Sequence, residues 1–223
     1  MANYIRAIVR PAAGIAADLR RHGSATVHEA IGRLGAMRRE IKPIARGMKV
    51  CGPAFTVRCP AGDNLTLLKA IREAEKGDVL VVDFGRLPEA GPFGELAALE
   101  CHLKGLGGLV TTGSVRDSAE IIALGFPVFS AAISIVGTAK ESLGQINHPV
   151  ATGEVIVRPG DLVLGDDDGV VVVPRELAEE AGRKAAARQA KEAAVMERLR
   201  AGESLFDIYG YQKTLDRRGW TEE

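Results

Sequence analysis

The stretch that decides the fold begins Gly94-Glu95-Leu96-Ala97-Ala98-Leu99-Glu100. After six residues it resumes as Gly107-Gly108-Leu109-Val110-Thr111-Thr112-Gly113-Ser114-Val115-Arg116-Asp117-Ser118-Ala119-Glu120. Leu96, Leu99 and Leu103 recur at helical spacing with small alanines between them, so the opening reads as a helix. Gly91, Pro92 and Gly94 break the chain just before it, and Gly105, Gly107 and Gly108 end it. Leu109-Val110-Thr111-Thr112 is then a short β-branched run, the signal of a buried strand. Gly113-Ser114 breaks that strand, and Val115-Arg116-Asp117 leads into a second helix from Ser118 to Leu124. Arg116 and Asp117 therefore fall at a strand-to-helix corner, the edge of an α/β layer where ligands bind.

Two readings of that dipeptide are open from the residues alone. Arg holds a carboxylate bidentately, Asp offers Mg²⁺ or Mn²⁺ a hard oxygen, and the helix starting at Glu95 adds free backbone N–H groups. Together these suit a small anionic oxo-acid chelated to a divalent metal. The plainer reading is that Asp117 caps its own helix while Arg116 stands in solvent.

Working outward, Val79-Leu80-Val81-Val82-Asp83 reads as a buried strand, and Lys49 to Arg58 alternates like one. Pro60-Ala61-Gly62-Asp63-Asn64 is a turn, with Asp63 placed to cap a helix from Leu65 to Glu75. Residues from Met1 to about Arg20 read as helical. Thr26 to Leu34 reads as a capped helix, with Thr26 as cap and Glu29 three residues on. Pro127-Val128-Phe129 is strand-like, and Glu154–Val157, Leu162–Leu164 and Val170–Val173 are three strands in quick succession. Glu176 to Leu199 is a long Ala/Lys/Arg/Glu helix whose sparse apolar face needs outside support. Phe206 to Leu215 forms a last helix. βα units first and a β-rich part later fit a mixed α/β architecture of three β/β/α layers. The division expected is a catalytic domain at 1–174 and a C-terminal helical extension at 175–223 that packs on a neighbouring subunit.

Composition removes several functions. Lys+Arg and Asp+Glu balance at 29 each, which argues against a basic nucleic-acid-binding face. Cys51, Cys59 and Cys101 have no metal-ligand spacing and leave an odd thiol, which fits a reducing cytoplasm; Cys51 and Cys59 are expected in a core strand. No leader-like segment and no run of membrane-spanning length is present, so no membrane partner is expected. His22, His28, His102 and His148 are scattered without ligand spacing. Asp166-Asp167-Asp168 lacks the spacing of a calcium loop and reads as a solvated turn.

Glu95, twenty intervening residues and then Arg116-Asp117 resembles the acidic-X20-Arg-Asp motif of the class II pyruvate aldolases. These cleave 4-hydroxy-4-methyl-2-oxoglutarate and 4-carboxy-4-hydroxy-2-oxoadipate. The resemblance runs along nearly the whole chain. It includes Ala25–Ala30, Gly52-Pro53-Ala54, Pro60–Asn64, Gly137-Thr138-Ala139-Lys140, Pro159-Gly160-Asp161, Asp166–Val170 and the tail Asp207–Gly210. It departs at two places: the usual first acid is Asp where this chain has Glu95, and an Asp often precedes the corner where this chain has Thr111-Thr112.

The resemblance implies a swivelling, phosphohistidine-domain-like fold. It implies Mg²⁺ (or Mn²⁺) on Asp117, with Glu95 bonding the metal's waters and Arg116 on the keto or enolate oxygen of a pyruvyl group. Gly94 and the backbone amides of Leu96 and Ala97 are expected at the substrate carboxylate, and Lys140 at its second carboxylate. Glu192, with Glu197 as competitor, is expected to reach the site from an adjacent subunit of a homotrimer or homohexamer. The implied reaction yields pyruvate plus pyruvate or oxaloacetate, with oxaloacetate decarboxylation alongside, in the catabolism of aromatic compounds. The rival is a non-catalytic regulator of ribonuclease E built on the same fold.

Overall fold

The computed structural model describes residues 2–85 and 89–221 of the chain. The helix expected from Met1 to about Arg20 is corrected: residues 2–12 are non-helical, and only α1 (Ala13–Leu19) forms before α2 (Ser24–Ala30). Tertiary bonds explain the difference. The backbone of Asn3 and Ile5 pairs with Ile146, and Arg10 reaches Asp78 with two 2.8 Å hydrogen bonds. An extended segment satisfies these groups and a helix would not. The α2 start also differs, because Gly23 rather than Thr26 precedes it. The Asp166 carboxylate accepts both the N–H and the hydroxyl of Ser24, at 2.7 and 2.6 Å.

After β1 (Lys42–Pro43) the chain enters the nine-residue β2 (Val50–Arg58), then α3 (Leu65–Glu73) and β3 (Val79–Asp83). The organising stretch follows as α4 (Glu95–Leu103), β4 (Gly108–Thr111), β5 (Ser114–Val115) and α5 (Ser118–Leu124). Short strands come next: β6 (Val128–Ser130), β7 (Ala132–Ile133), β8 (Gln145–Ile146), β9 (Val150–Thr152) and β10 (Val155–Val157). The hairpin β11 (Leu162–Asp166) and β12 (Gly169–Val173) closes the sheet. A 3₁₀ turn at Arg175–Leu177 opens α6 (Ala178–Arg200). The tail is two short helices, α7 (Leu205–Ile208) and α8 (Gln212–Arg218), instead of one, with Gly210 in the left-handed region between them.

The main sheet runs β1-β6-β4-β3-β2-β11-β12, with β8 on β2. Strands β2, β3, β4 and β6 are parallel, as expected of βα units, and β11–β12 adds antiparallel edges. Alternation sorts the side chains. Val79, Val81, Val110, Phe129, Val163, Val170 and Val172 face an inner core closed by the β9–β10 hairpin. Leu80, Val82 and Leu109 face outward onto Leu67, Ile71, Ala98 and Ile121 of α3, α4 and α5. Leu162, Leu164, Val171 and Val173 face the opposite helical layer, where Ala178, Ala181 and Ala185 of α6 are buried. This is the expected mixed α/β fold of swivelling type: a strongly curled, nearly closed sheet with a long C-terminal helix. Among the described residues no helix is long and apolar enough to cross a membrane.

Candidate active site

The corner is shaped from its backbone upward. Buried Thr111 ends β4, where its hydroxyl donates to Val82 O and accepts the Gly113 N–H, both at 2.9 Å. That turn feeds β5, which pairs in parallel with β7. Arg116 N then donates to Phe93 O at 2.9 Å, fastening the strand end to the loop that precedes α4. Asp117 takes φ 54° and ψ 42°, a left-handed conformation uncommon for a residue with a Cβ.

The Asp117 side chain does not cap its own helix. Its Oδ2 accepts the backbone N–H of Glu95 at 3.1 Å, so it serves the start of α4 across the corner. No donor among the described residues meets Oδ1. Arg116 Nε lies 3.5 Å from Asp117 Oδ2, and the two side chains are 41% and 42% exposed. Such an open pair contributes well under ~1 kcal/mol to stability, so its geometry is free to serve a ligand. Gly94 makes the approach possible: a Cβ there would stand 2.4 Å from Asp117 Oδ2 and 2.9 Å from Arg116 Nε. Gly91 is similarly compelled, since its Cβ would sit 2.2 Å from Ser134 O.

Leu96 and Ala97 lie in the first turn of α4, where backbone N–H groups have no carbonyl four residues back inside the helix. They therefore point donors at the same end that Asp117 and Arg116 border. Glu95 is exposed, and its carboxylate has no protein partner among the described residues. Lys140 lies on the loop after β7, also exposed. That loop joins the one before α4 through a Gly91 N to Val136 O bond of 2.8 Å and an Ala90–Val136 bridge. Glu192 and Glu197 are elsewhere in the chain. Glu192 pairs with Arg188 at 2.8 Å, Arg188 lies 3.6 Å from Glu29 of α2, and Glu197 pairs with Arg200. Within one chain the structure thus brings together Gly94, Glu95, Leu96, Ala97, Arg116 and Asp117, with the Lys140 loop alongside, and leaves α6 outside.

Other chemistry is less well supported. No three His, Cys, Asp or Glu side chains converge as a metal cage among the described residues. All three thiols are buried, and loss of solvent pushes each up to about 12, which keeps them protonated and unreactive near neutrality. Surface hollows of about 400 and 480 Å³ lie away from the corner, one between α1 and α6 and one beside Arg46 and Lys49. The acidic turn is the expected turn, with Asp167 and Asp168 exposed, and its carboxylates also brace neighbouring loops. Asp166 holds Ser24, and Asp167 Oδ1 accepts Gly47 N–H at 2.8 Å.

A family profile described as RraA-like, Aldolase/RraA, matches residues 24–172, two thirds of the chain. The chain belongs to the RraA-like family. A relative from Halalkalibacterium halodurans, named "Putative 4-hydroxy-4-methyl-2-oxoglutarate aldolase", is 38% identical over 168 residues, 75% of this chain and 80% of that protein. An uncharacterised Methanocaldococcus jannaschii protein is 39% identical over 75% of this chain and 82% of its own length. Among solved structures, Streptomyces coelicolor RraAS2, titled an unusual member of the RNase ES inhibitor RraA family, superposes with a TM-score of 0.76. It is 30% identical and covers 85% of this chain and 99% of its own. An uncharacterised Pseudomonas syringae protein superposes at 0.79 with 25% identity, over 89% and 94% of the two chains.

Sequence reading missed how the RraA-like corner is braced. It saw Asp63 only as a helix cap and Asn64 only as part of a turn. In the fold, Asn64 Nδ2 donates to Pro92 O at 2.7 Å, and Asp63 accepts from the Lys140 loop. The turn signal Pro-Ala-Gly-Asp-Asn located these residues; nothing local named their distant partners.

Proposed function

We propose that this chain is a divalent-metal-dependent aldolase that releases pyruvate from a 4-hydroxy-2-oxo di- or tricarboxylate. 4-Hydroxy-4-methyl-2-oxoglutarate and 4-carboxy-4-hydroxy-2-oxoadipate are the substrates in view, and oxaloacetate decarboxylation is expected as a second activity. The observation that carries the reading is the left-handed Asp117. Its Oδ2 accepts the α4 amide and lies 3.5 Å from Arg116 Nε, while Oδ1 meets no donor among the described residues. One unbonded oxygen on a side chain that is 42% exposed fits an ion such as Mg²⁺ or Mn²⁺, which keeps most of its waters. When bound there, the ion would supply a positive charge that favours the 2-oxo acid and its enolate.

The chain's own groups do the rest. The amides of Leu96 and Ala97 hold the 2-oxo acid carboxylate at the α4 N-terminus, and bare Gly94 lets it approach. Arg116 faces the keto oxygen, where charge builds as the C3–C4 bond breaks. Glu95 orders the water that accepts the C4-hydroxyl proton, and water returns a proton to C3 to complete pyruvate. Lys140 meets the distal carboxylate. Loss of CO₂ from oxaloacetate creates the same enolate.

In the single chain the corner is open, and apolar surface flanks it. Leu96, Leu103 and Ile135 are 82%, 76% and 93% exposed. Leucines at α4 positions 96, 99 and 103 thus point outward, while Ala98 and Cys101 are the buried face. A second copy of the chain, in a homotrimer or homohexamer, is the proposed wall. It would bring Glu192 of its α6 to the site and cover the exposed tail aromatics. Light scattering that finds a monomer at micromolar concentration would contradict this. The free thiols fit a reducing cytoplasm.

The test is pyruvate release by the purified protein with Mg²⁺, with and without EDTA. Turnover that EDTA abolishes and Mg²⁺ restores is expected; metal-independent turnover would contradict the reading. The alternative, a ribonuclease regulator, is favoured by one observation: RraAS2, titled a member of the RNase ES inhibitor RraA family, is 30% identical and covers 85% of this chain. Stable ribonuclease capture together with no pyruvate release would select it.

A further inference from the structure

Buried Asp63, which the proposed chemistry does not use, sits at the centre of the bracing beside the corner. Its exposure is 2%, yet every hydrogen bond its carboxylate makes among the described residues is to backbone. Oδ1 accepts Leu65 N–H at 2.9 Å and so starts α3. Oδ2 accepts two consecutive amides, Glu141 N–H at 2.7 Å and Ser142 N–H at 2.8 Å. These are the two residues that follow Lys140. Asp63 also forms a parallel bridge to Ala139, with Ala139 N to Gly62 O at 2.9 Å and Asn64 N to Ala139 O at 3.1 Å. Further along, Thr66 Oγ1 accepts Gly144 N–H at 2.7 Å. Lys140 therefore rides on a short arch whose far side is gathered by one carboxylate oxygen, while its own ammonium has no ion pair among the described residues. Next door, Asn64 ties the same turn to Pro92 O, in the loop that delivers Gly94. One turn thus grips both loops of the site.

We infer that Asp63 is a positioning residue: it fixes the reach of Lys140 relative to the α4 N-terminus and so selects oxo-acids that carry a second carboxylate. A carboxylate suits the task because an ionised acceptor takes two amides at short distance with directional bonds. An amide side chain offers one acceptor oxygen, which cannot serve Leu65 and the arch together. The Glu141 N–H bond is also the leading reason the Asp63 carboxyl is held below its usual range, with Leu65 and Ser142 adding to it against the cost of burial. The inference rests on the proposed reading of Lys140 as a substrate contact.

Two variants separate the roles. Asp63→Ser keeps a short hydroxyl able to cap Leu65 but too short to hold the arch; Asp63→Asn keeps size and removes charge. Each is compared with wild type and Lys140→Ala by hydrogen exchange and by steady-state kinetics on the 4-hydroxy-2-oxo dicarboxylate and on oxaloacetate, whose second carboxylate is the leaving group and not a distal anchor. Expected for Asp63→Ser is at least about tenfold faster exchange at Glu141 and Ser142, with the α3 amides unchanged. KM for the 4-hydroxy-2-oxo dicarboxylate should rise about tenfold with kcat within about twofold. Lys140→Ala should give the same KM change without the exchange change, and combining it with Asp63→Ser should add nothing further. Unchanged exchange at Glu141 and Ser142 would overturn the inference whatever the activity. Loosened exchange with unchanged KM, or equal losses of kcat on both substrates, would overturn it as well, reducing Asp63 to a structural brace. Wild-type protein that releases no pyruvate under any metal condition would instead sink the proposed function, and the inference with it.

Discussion

Two of the molecule's Arg–Asp pairs differ in kind. Arg10 meets Asp78 through two bonds of 2.8 Å, and Asp78 is fully buried with a further bond from Glu75 N–H at 2.9 Å. Arg116 and Asp117 are adjacent in sequence, 3.5 Å apart and about two fifths exposed, on a backbone that is left-handed at Asp117. The first pair uses up its bonding capacity on the protein; the second leaves most of its own unused. The contrast teaches that the pair to suspect of function is the one whose groups are held in place but not satisfied. Buried, saturated pairs are strongly coupled to stability when broken, because the surviving charge has nowhere to go. Open, strained ones hold groups ready for a ligand at modest cost to the fold.

The largest effect expected from breaking this contrast is on turnover. Asp117→Ala should lower pyruvate release by about 10⁴-fold, roughly 5.5 kcal/mol, while costing about 1 kcal/mol of stability for the lost Glu95 cap. Assay and urea unfolding on the same protein check both halves. Next, Asp78→Ala should cost about 3–5 kcal/mol in unfolding, since it removes both Asp78 bonds to Arg10 and the acceptor for Glu75 N–H, leaving Arg10 only the exposed Glu75 carboxylate, and any activity loss should follow the unfolded fraction. If Asp78→Ala and Asp117→Ala behaved alike, the two pairs would not be different in kind. Gly94→Ala should come third. Its Cβ would meet Asp117 Oδ2 at 2.4 Å, so activity should fall about 10² with about 1–2 kcal/mol of strain. Measured melting and kcat/KM together test that split.

A smaller effect concerns pH. The folded Asp63 carboxyl titrates below its ordinary value of 3.8, chiefly because it is bonded by Glu141 N–H. The contribution is therefore fully present above the unfolded value and is lost as pH falls through the depressed folded one. The stability gap between wild type and Asp63→Asn should be flat from about pH 8 to about pH 5 and shrink only below about pH 4. A gap that shrank near neutrality would contradict the bonding scheme. Smallest of all, the native thiols of Cys51, Cys59 and Cys101, pushed up to about 12 by burial, should label with a thiol reagent only as fast as the protein unfolds.

The sheet was legible because its strands are continuous β-branched runs bounded by glycine. Val79–Asp83, Leu109–Thr111 and the β11–β12 hairpin fall where the pattern places them. The strand-to-helix corner was legible for the same reason, since Gly113 and Asp117 punctuate it. What was not legible is long-range. No local rule predicts that Asp117 caps α4 rather than α5, that Arg10 unwinds the first residues toward Asp78, or that Asp166 displaces Thr26 as the anchor of α2. The α4 leucines misled in another way. Helical spacing marks a face that wants burial, but Leu96 and Leu103 are exposed here, and the spacing alone does not say what would cover them.

The most direct test is a crystal soaked with Mg²⁺ and pyruvate. The account predicts an ion against Asp117, the pyruvate carboxylate on the amides of Leu96 and Ala97, and its keto oxygen facing Arg116. An occupied site anywhere else, or a corner left empty at saturating ligand, would contradict it.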